Sequence, residues 1–121
     1  MGGNELNTTN MTATDFDKII WRDALTFVDF FATWCGPCQI MAKQIFPQQK
    51  VGEFFNKTFV NAKFNAEKGE GVNVAKRYSV KAYPTFLILD SDGEEVGRIV
   101  GGADADRFIE EVRKVLENIE R

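Results

Sequence analysis

Cys35 and Cys38 are the only thiols in the 121-residue chain, and two residues separate them. A pair at that spacing can be half of a metal site, a short structural clip, or a dithiol that cycles with its disulfide. The metal reading lacks partners. Structural zinc takes four ligands, chiefly cysteine and histidine. The chain has no histidine, so carboxylates or a second chain would have to complete the set, and we expect no metal. The clip reading lacks energy. Closing a four-residue loop gains about 2 kcal/mol in the chain-entropy description, against about 4.7 kcal/mol for a loop of 100 residues. A chain this long buries roughly 60–70 % of its unfolded surface, so it needs no staple. The redox reading fits the neighbourhood, "VDFFATWCGPCQIMAKQIF". An apolar strand-forming run ends just before the pair, and a helical pattern begins with it. Cys35 then sits at a helix N-terminus, where free N–H groups and the macrodipole favour a thiolate, the form that attacks disulfides. Pro37 falls in the first turn, where its missing N–H costs nothing. Cys38 faces the same side and can close the bond.

Asp29 is the third candidate. By strand alternation it shares a face with Phe27 and Phe31, which makes it hard to place in water. A buried carboxyl has a raised pKa and can hold or pass a proton near neutral pH. The plainer alternative is an aspartate at a ragged strand end that reaches solvent.

The elements that must hold these groups read as follows. Residues 1–12 are polar and form a flexible N-terminal segment; residues 13–121 form one domain. "TDFDKIIWRDA" has helical spacing, with Thr14 as its cap. "LTFVDFFA" suits a strand buried on both faces. The helix after the cysteines carries Ile40, Met41 and Ile45 on one side. Pro47 breaks or kinks it and opens a second helix, "QQKVGEFFN". "TFVNAKFNA" alternates as a strand, "GEGVNVAKRYSV" is a loop and short helix, and "TFLILD" is a buried strand. "DSDG" turns the chain into "EEVGRIVG", making a hairpin. Asp104 caps the last helix, whose apolar face is Phe108, Val112, Val115, Leu116 and Ile119. Strands alternating with helices and closing on a hairpin predict an α/β fold, with a central mixed β-sheet flanked by helices on both faces.

Charge and hydropathy exclude other classes. The net charge is −3 and the pI about 5.0, with no basic patch for nucleic acid. No apolar run approaches the roughly 18 residues of a membrane span. "MGGNELNTTN" has no charged region followed by an apolar one, so we read no signal peptide in this chain. The Met-Gly-Gly start also fits a scar left where a signal was removed, so periplasmic or exported and cytoplasmic locations both stay open.

"VDFFATWCGPC", "AKFN", "AYPTFLILD", "DG" and "VGG" together resemble thioredoxin over about residues 14–120. The resemblance implies the thioredoxin fold and dithiol–disulfide exchange. Cys35 becomes the attacking cysteine and Cys38 the resolving one, and Asp29 the buried acid that deprotonates Cys38. Gly36 and Pro37 complete the motif. Lys63 matches a lysine that pairs with that acid, although Asn61, Lys63 and Asn65 also fit the solvated side of an alternating strand. Pro84 matches a cis proline packed against the cysteines. That leaves the backbone of Tyr83, and Thr85 after it, beside an extended substrate peptide. Gly101 and Gly102 match a glycine near the same groove, or form an ordinary turn. Trp34 belongs at the rim, offering apolar contact to substrate.

Four features depart from thioredoxin itself. Lys43 stands where a kinking proline usually falls, and the proline comes later, at Pro47. The segment from Phe46 to Gly71 is longer than usual. Tyr83 replaces an aliphatic residue, and Phe31 replaces a tryptophan. These look more like thioredoxin-like domains of exported bacterial disulfide reductases and isomerases. The Gly-Pro dipeptide resembles thioredoxin, whose potential is about −270 mV, against about −120 mV for the strongest periplasmic oxidase. We therefore expect a monomeric protein-disulfide reductase needing no cofactor beyond its own disulfide. Its partners would be protein disulfides and an electron-donating reductase or membrane thiol donor. An isomerase, or a peptide-binding module with an idle dithiol, are the alternatives.

Overall fold

The computed structural model describes residues 24–119 together with the two-residue strand β1, Thr9–Asn10. The helix expected over residues 14–24 lies outside the described residues, except for its final position. A seven-residue strand, β2 (Leu25–Phe31), leads to α1 (Gly36–Ile40), which runs into a π-helical turn at Met41–Ile45. Helix α2 (Gln49–Thr58) and strand β3 (Phe59–Asn65) follow, then α3 (Glu70–Arg77), β4 (Thr85–Leu89), β5 (Glu95–Val100) and α4 (Ala105–Ile119). Five strands form one mixed sheet in the order β1-β3-β2-β4-β5. β3 runs parallel to both β1 and β2, whereas β4 is antiparallel to both β2 and β5.

Alternation along β2 sorts the core. Val28 and Phe30 point to one face, where they pack with Ala62, Phe64, Val74, Val80, Leu87 and Leu89 under α3. Phe27 points to the other, where Phe55, Phe59, Phe86 and Phe108 surround it with ring centroids 4.8 to 6.0 Å away. Burying an aromatic side chain is among the largest apolar contributions available. This five-ring nucleus ties α2 and α4 to the sheet. Asp29 follows Phe27 on the same face and comes at its open end, towards the cysteines.

The other expected elements form, with four differences. A two-residue strand not among those expected, β1, pairs with β3. Pro47 does not open α2. It sits one residue before the N-cap, Gln48, because Ile45 O accepts from Gln48 N–H at 3.1 Å and the chain needs that turn before it can restart. Ile40 is exposed while Met41 and Ile45 are buried, since neighbours on a helix lie about 100° apart. Ile119 likewise reaches solvent at the end of α4, whose buried residues, Ala105, Phe108, Ile109 and Val112, all lie in its first half. The Asp104 cap does form, its Oδ1 accepting from Arg107 N–H at 2.9 Å.

Candidate active site

β2 and β3 run in parallel, so their C-terminal ends lie side by side. β4 runs the other way and starts at the same edge of the sheet. Thr85 pairs with Phe30, four residues before Trp34. The strand directions alone therefore bring residues near 35, 65 and 84 together. Ligands of open α/β sheets collect at this carboxyl end.

Cys35 is the N-cap of α1 and takes extended backbone angles. Its Sγ accepts the Cys38 N–H at 3.2 Å. When the bond is reduced, that donor and the helix N-terminus both favour negative charge on the same sulfur. The two Sγ atoms are at bonding distance and the Cα atoms 5.2 Å apart, so the structure is the oxidised form. Both cysteines are shielded, Cys35 at 2 % and Cys38 at 7 % exposure, by Ala32, Phe31 and Tyr83. Pro37 lies in the first turn of α1, as expected.

The Tyr83–Pro84 bond is cis, in agreement with the resemblance. Pro84 O accepts from Gly101 N–H at 2.9 Å, and Gly101 has φ +94, a backbone angle at which a side chain is strained. A side chain on Gly102 would meet Met41 and Pro37 at 3.7 to 3.8 Å, so the loop lies directly against α1. Thr85 Oγ1 donates to Ala82 O at 2.7 Å, bracing the same bend from inside. Tyr83 has no backbone hydrogen bond among the described residues, which leaves its N–H and C=O free for an added strand.

Trp34 is 67 % exposed, at the rim. Its ring meets Tyr83 edge-on with centroids 6.0 Å apart, and its Nε1 donates to Glu67 Oε1 at 2.7 Å. Sequence reasoning missed Glu67. It follows β3 in a turn in which Glu67 N–H donates to Asn65 Oδ1. The parallel pairing of β2 with β3 was the available signal, because it puts whatever follows Asn65 beside whatever follows Phe31. Gln39 was also missed; its amide holds the Thr33 carbonyl at 2.9 Å.

Asp29 and Cys38 line one cleft of about 230 Å³, with Phe31, Gln39, Lys43 and Lys63 among its walls. Asp29 Oδ1 is buried without a hydrogen-bond partner. Burial pushes the carboxyl from its ordinary 3.8 up to about 7, and the Lys63 charge opposes that rise. Lys63 is Asp29's register partner across the β2–β3 pair. Its Nζ sits 5.9 Å from the centroid of the Phe31 ring. The ion pairs among the described residues lie elsewhere, so Lys63 acts on Asp29 through space rather than by contact. Asn61 is not on a solvated side. It is buried, and its amide donates to Phe55 O and Phe59 O. Among the described residues no group of three or more acidic, cysteine or histidine side chains is placed to hold a metal ion. No described helix is long and apolar enough to cross a membrane.

A dithiol at a strand-to-helix junction, with a cis proline at the same end of a mixed sheet, defines a thiol–disulfide oxidoreductase. The chain belongs to the thioredoxin family, whose model matches residues 7–114. It is 40 % identical over 95 residues to thioredoxin-1 of Saccharomyces cerevisiae, covering 78 % of this chain and 84 % of that one. It is 33 % identical over 106 residues to the thioredoxin of Staphylococcus epidermidis, covering 88 % and 95 %. Among solved structures it resembles a "putative disulphide-isomerase" from Bacteroides thetaiotaomicron. That match has TM-score 0.81 and 40 % identity over 97 % of this chain and 98 % of that one. The activity is dithiol–disulfide exchange through Cys35 and Cys38.

Proposed function

We propose that the chain is a net reductant of protein disulfides in which Asp29 serves the second cysteine. Cys35 thiolate attacks one sulfur of a substrate disulfide, forming a mixed disulfide and releasing one substrate thiolate. Cys38 passes its proton to the Asp29 carboxylate and attacks Cys35 Sγ. The Cys35–Cys38 disulfide forms and the second substrate thiolate leaves. The substrate gains two electrons, which a donor dithiol of a reductase or membrane thiol carrier restores. The shared cleft carries this reading: Asp29 and Cys38 line it together, and Asp29 holds an unpartnered oxygen there.

Substrate docking follows from the same geometry. An extended peptide pairs with the Tyr83 backbone, while Trp34, Tyr83, Thr85 and Gly101 frame the disulfide. Lys63 holds the negative charge of the Asp29–Cys38 pair. The Bacteroides relative supports a second reading, isomerisation, in which a reduced Cys35 reshuffles non-native bonds. Insulin reduction by dithiothreitol, followed for wild type, Cys35→Ser and Cys38→Ser, separates them. Net reduction needs both cysteines. Retained refolding of a scrambled disulfide protein by Cys38→Ser favours isomerisation, and a wild type that does not accelerate insulin reduction rejects the reading.

A further inference from the structure

The cleft that holds Asp29 and Cys38 has a second cation in its wall. Lys43 lines it together with Lys63. Five positions along an uninterrupted α-helix is about 140° around its axis, which would turn Lys43 away from Cys38. The π-helical turn that begins at Met41 lessens this rotation. Phe46 N–H closes onto Met41 O at 2.9 Å, five residues back. A turn that takes more residues advances each one by less than the α-helical angle. Lys43 is thereby turned back towards the cleft, which it lines together with Gln39 and Ala42.

Lys43 is exposed and makes no ion pair among the described residues. Three elements bring the other titratable groups to the cleft. β2 brings Asp29, β3 brings Lys63 and α1 brings Cys38. β4 sets the uncharged Phe86 beside Asp29. Two cations thus face one buried carboxyl and one thiol. We propose that Lys43 is a second positioning residue of the resolving step. It stabilises the single negative charge that Cys38 and Asp29 share after the pair has lost one proton, and so helps set the pH at which Cys38 becomes a nucleophile. This rests on Asp29 being the proton acceptor of Cys38. The transfer from Cys38 Sγ to the Asp29 carboxylate leaves the net charge unchanged. The cation acts on the earlier loss of a proton from the pair to solvent, and the two sites titrate as a unit. In the oxidised protein burial already lifts the Asp29 carboxyl to about 7. Lys63 is half-buried and Lys43 exposed, so salt screens the Lys43 contribution more strongly.

The test uses Cys35→Ala, in which Cys38 is the only thiol, and follows its alkylation by neutral iodoacetamide from pH 5.5 to 10. Adding Lys43→Met is expected to raise the first midpoint by about 0.2 to 0.7 pH unit, the range for one exposed charge. Below the midpoint this slows alkylation about 1.5- to 5-fold. Lys43→Arg should restore the midpoint, Lys43→Glu should raise it further, and about 1 M salt should remove most of the difference. A merely structural role would show neither the rescue nor the salt dependence, and that result overturns the proposal. Asp29→Asn in the same background keeps the two readings apart. If it moves the midpoint and Lys43→Met does not, Lys43 has no such role and the Asp29 reading stands. If neither moves it, both fall. If only Lys43→Met moves it, Lys43 acts on Cys38 directly and the Asp29 reading falls.

Discussion

Replacing Asp29 by asparagine should stabilise the oxidised protein at neutral and alkaline pH. The folded carboxyl titrates at about 7 against an ordinary 3.8. Its folded-state value is raised, so the unfolded chain gives up the proton first and the folded chain retains it. The stability that goes with this group is intact below pH 3.8, is lost as pH rises through the window, and levels off above 7. The window spans about three pH units at about 1.4 kcal/mol each, or roughly 4 kcal/mol. Asparagine has nearly the shape of the neutral acid and does not titrate. The stability of Asp29→Asn minus that of wild type therefore isolates the carboxyl from every other titrating group. Guanidinium or urea unfolding of the oxidised proteins at intervals from pH 3.5 to 8 gives the two stabilities. The difference should climb by about 4 kcal/mol, most steeply between pH 4.5 and 6.5. A difference flat to within about 1 kcal/mol, or one in which wild type gains on the variant as pH rises, would refute the reasoning. It would mean that the carboxylate is solvated, or paired closely enough to fold as an anion.

Other perturbations have equally definite outcomes. Gly71→Ala places a Cβ 1.9 Å from the Asn65 carbonyl oxygen, a backbone atom; thermal unfolding should show a loss of at least about 1–3 kcal/mol. Gly36→Ala, where nothing lies within 4 Å, should show almost none. Phe108→Ala empties the middle of the aromatic nucleus, where Phe86 is 4.9 Å and Phe55 5.5 Å away. Denaturant unfolding should report a loss of about 3–5 kcal/mol. Asp104→Ala removes the cap of α4 and should cost about 1 kcal/mol in the same assay.

The parts of the site that were legible in the sequence are those set by local pattern. Alternation placed Asp29 on the face of Phe27, and a strand followed by helical spacing placed Cys35 at an N-cap. "DSDG" announced the hairpin because a turn needs particular residues. Where the outcome depended on tertiary context, the sequence said less. Nothing in "QIMAKQIF" distinguishes a π-helical turn from an α-helix, because the difference is one hydrogen bond, Phe46 to Met41. Asn61 read as polar and outward. It is buried against the end of α2, where its amide reaches the carbonyls of Phe55 and Phe59. Glu67 has no chemical signature until the sheet places its turn beside Trp34. Alternation also could not tell whether Lys63 touches Asp29 or only faces it.

The antiparallel run of β4 against β2 has a further consequence. The dithiol is a local object, four residues that a short peptide could reproduce. The proline that faces it lies 46 positions further along, and the two meet only because Thr85 pairs with Phe30. A fragment ending before β4 would keep its thiols and lose the docking surface proposed at Tyr83. Such a fragment would be an unselective reductant, reacting according to how exposed a disulfide is rather than to the chain around it. On the proposed docking, selectivity is a property of long-range order, and partial unfolding that releases β4 would erase it while the sulfur chemistry continued.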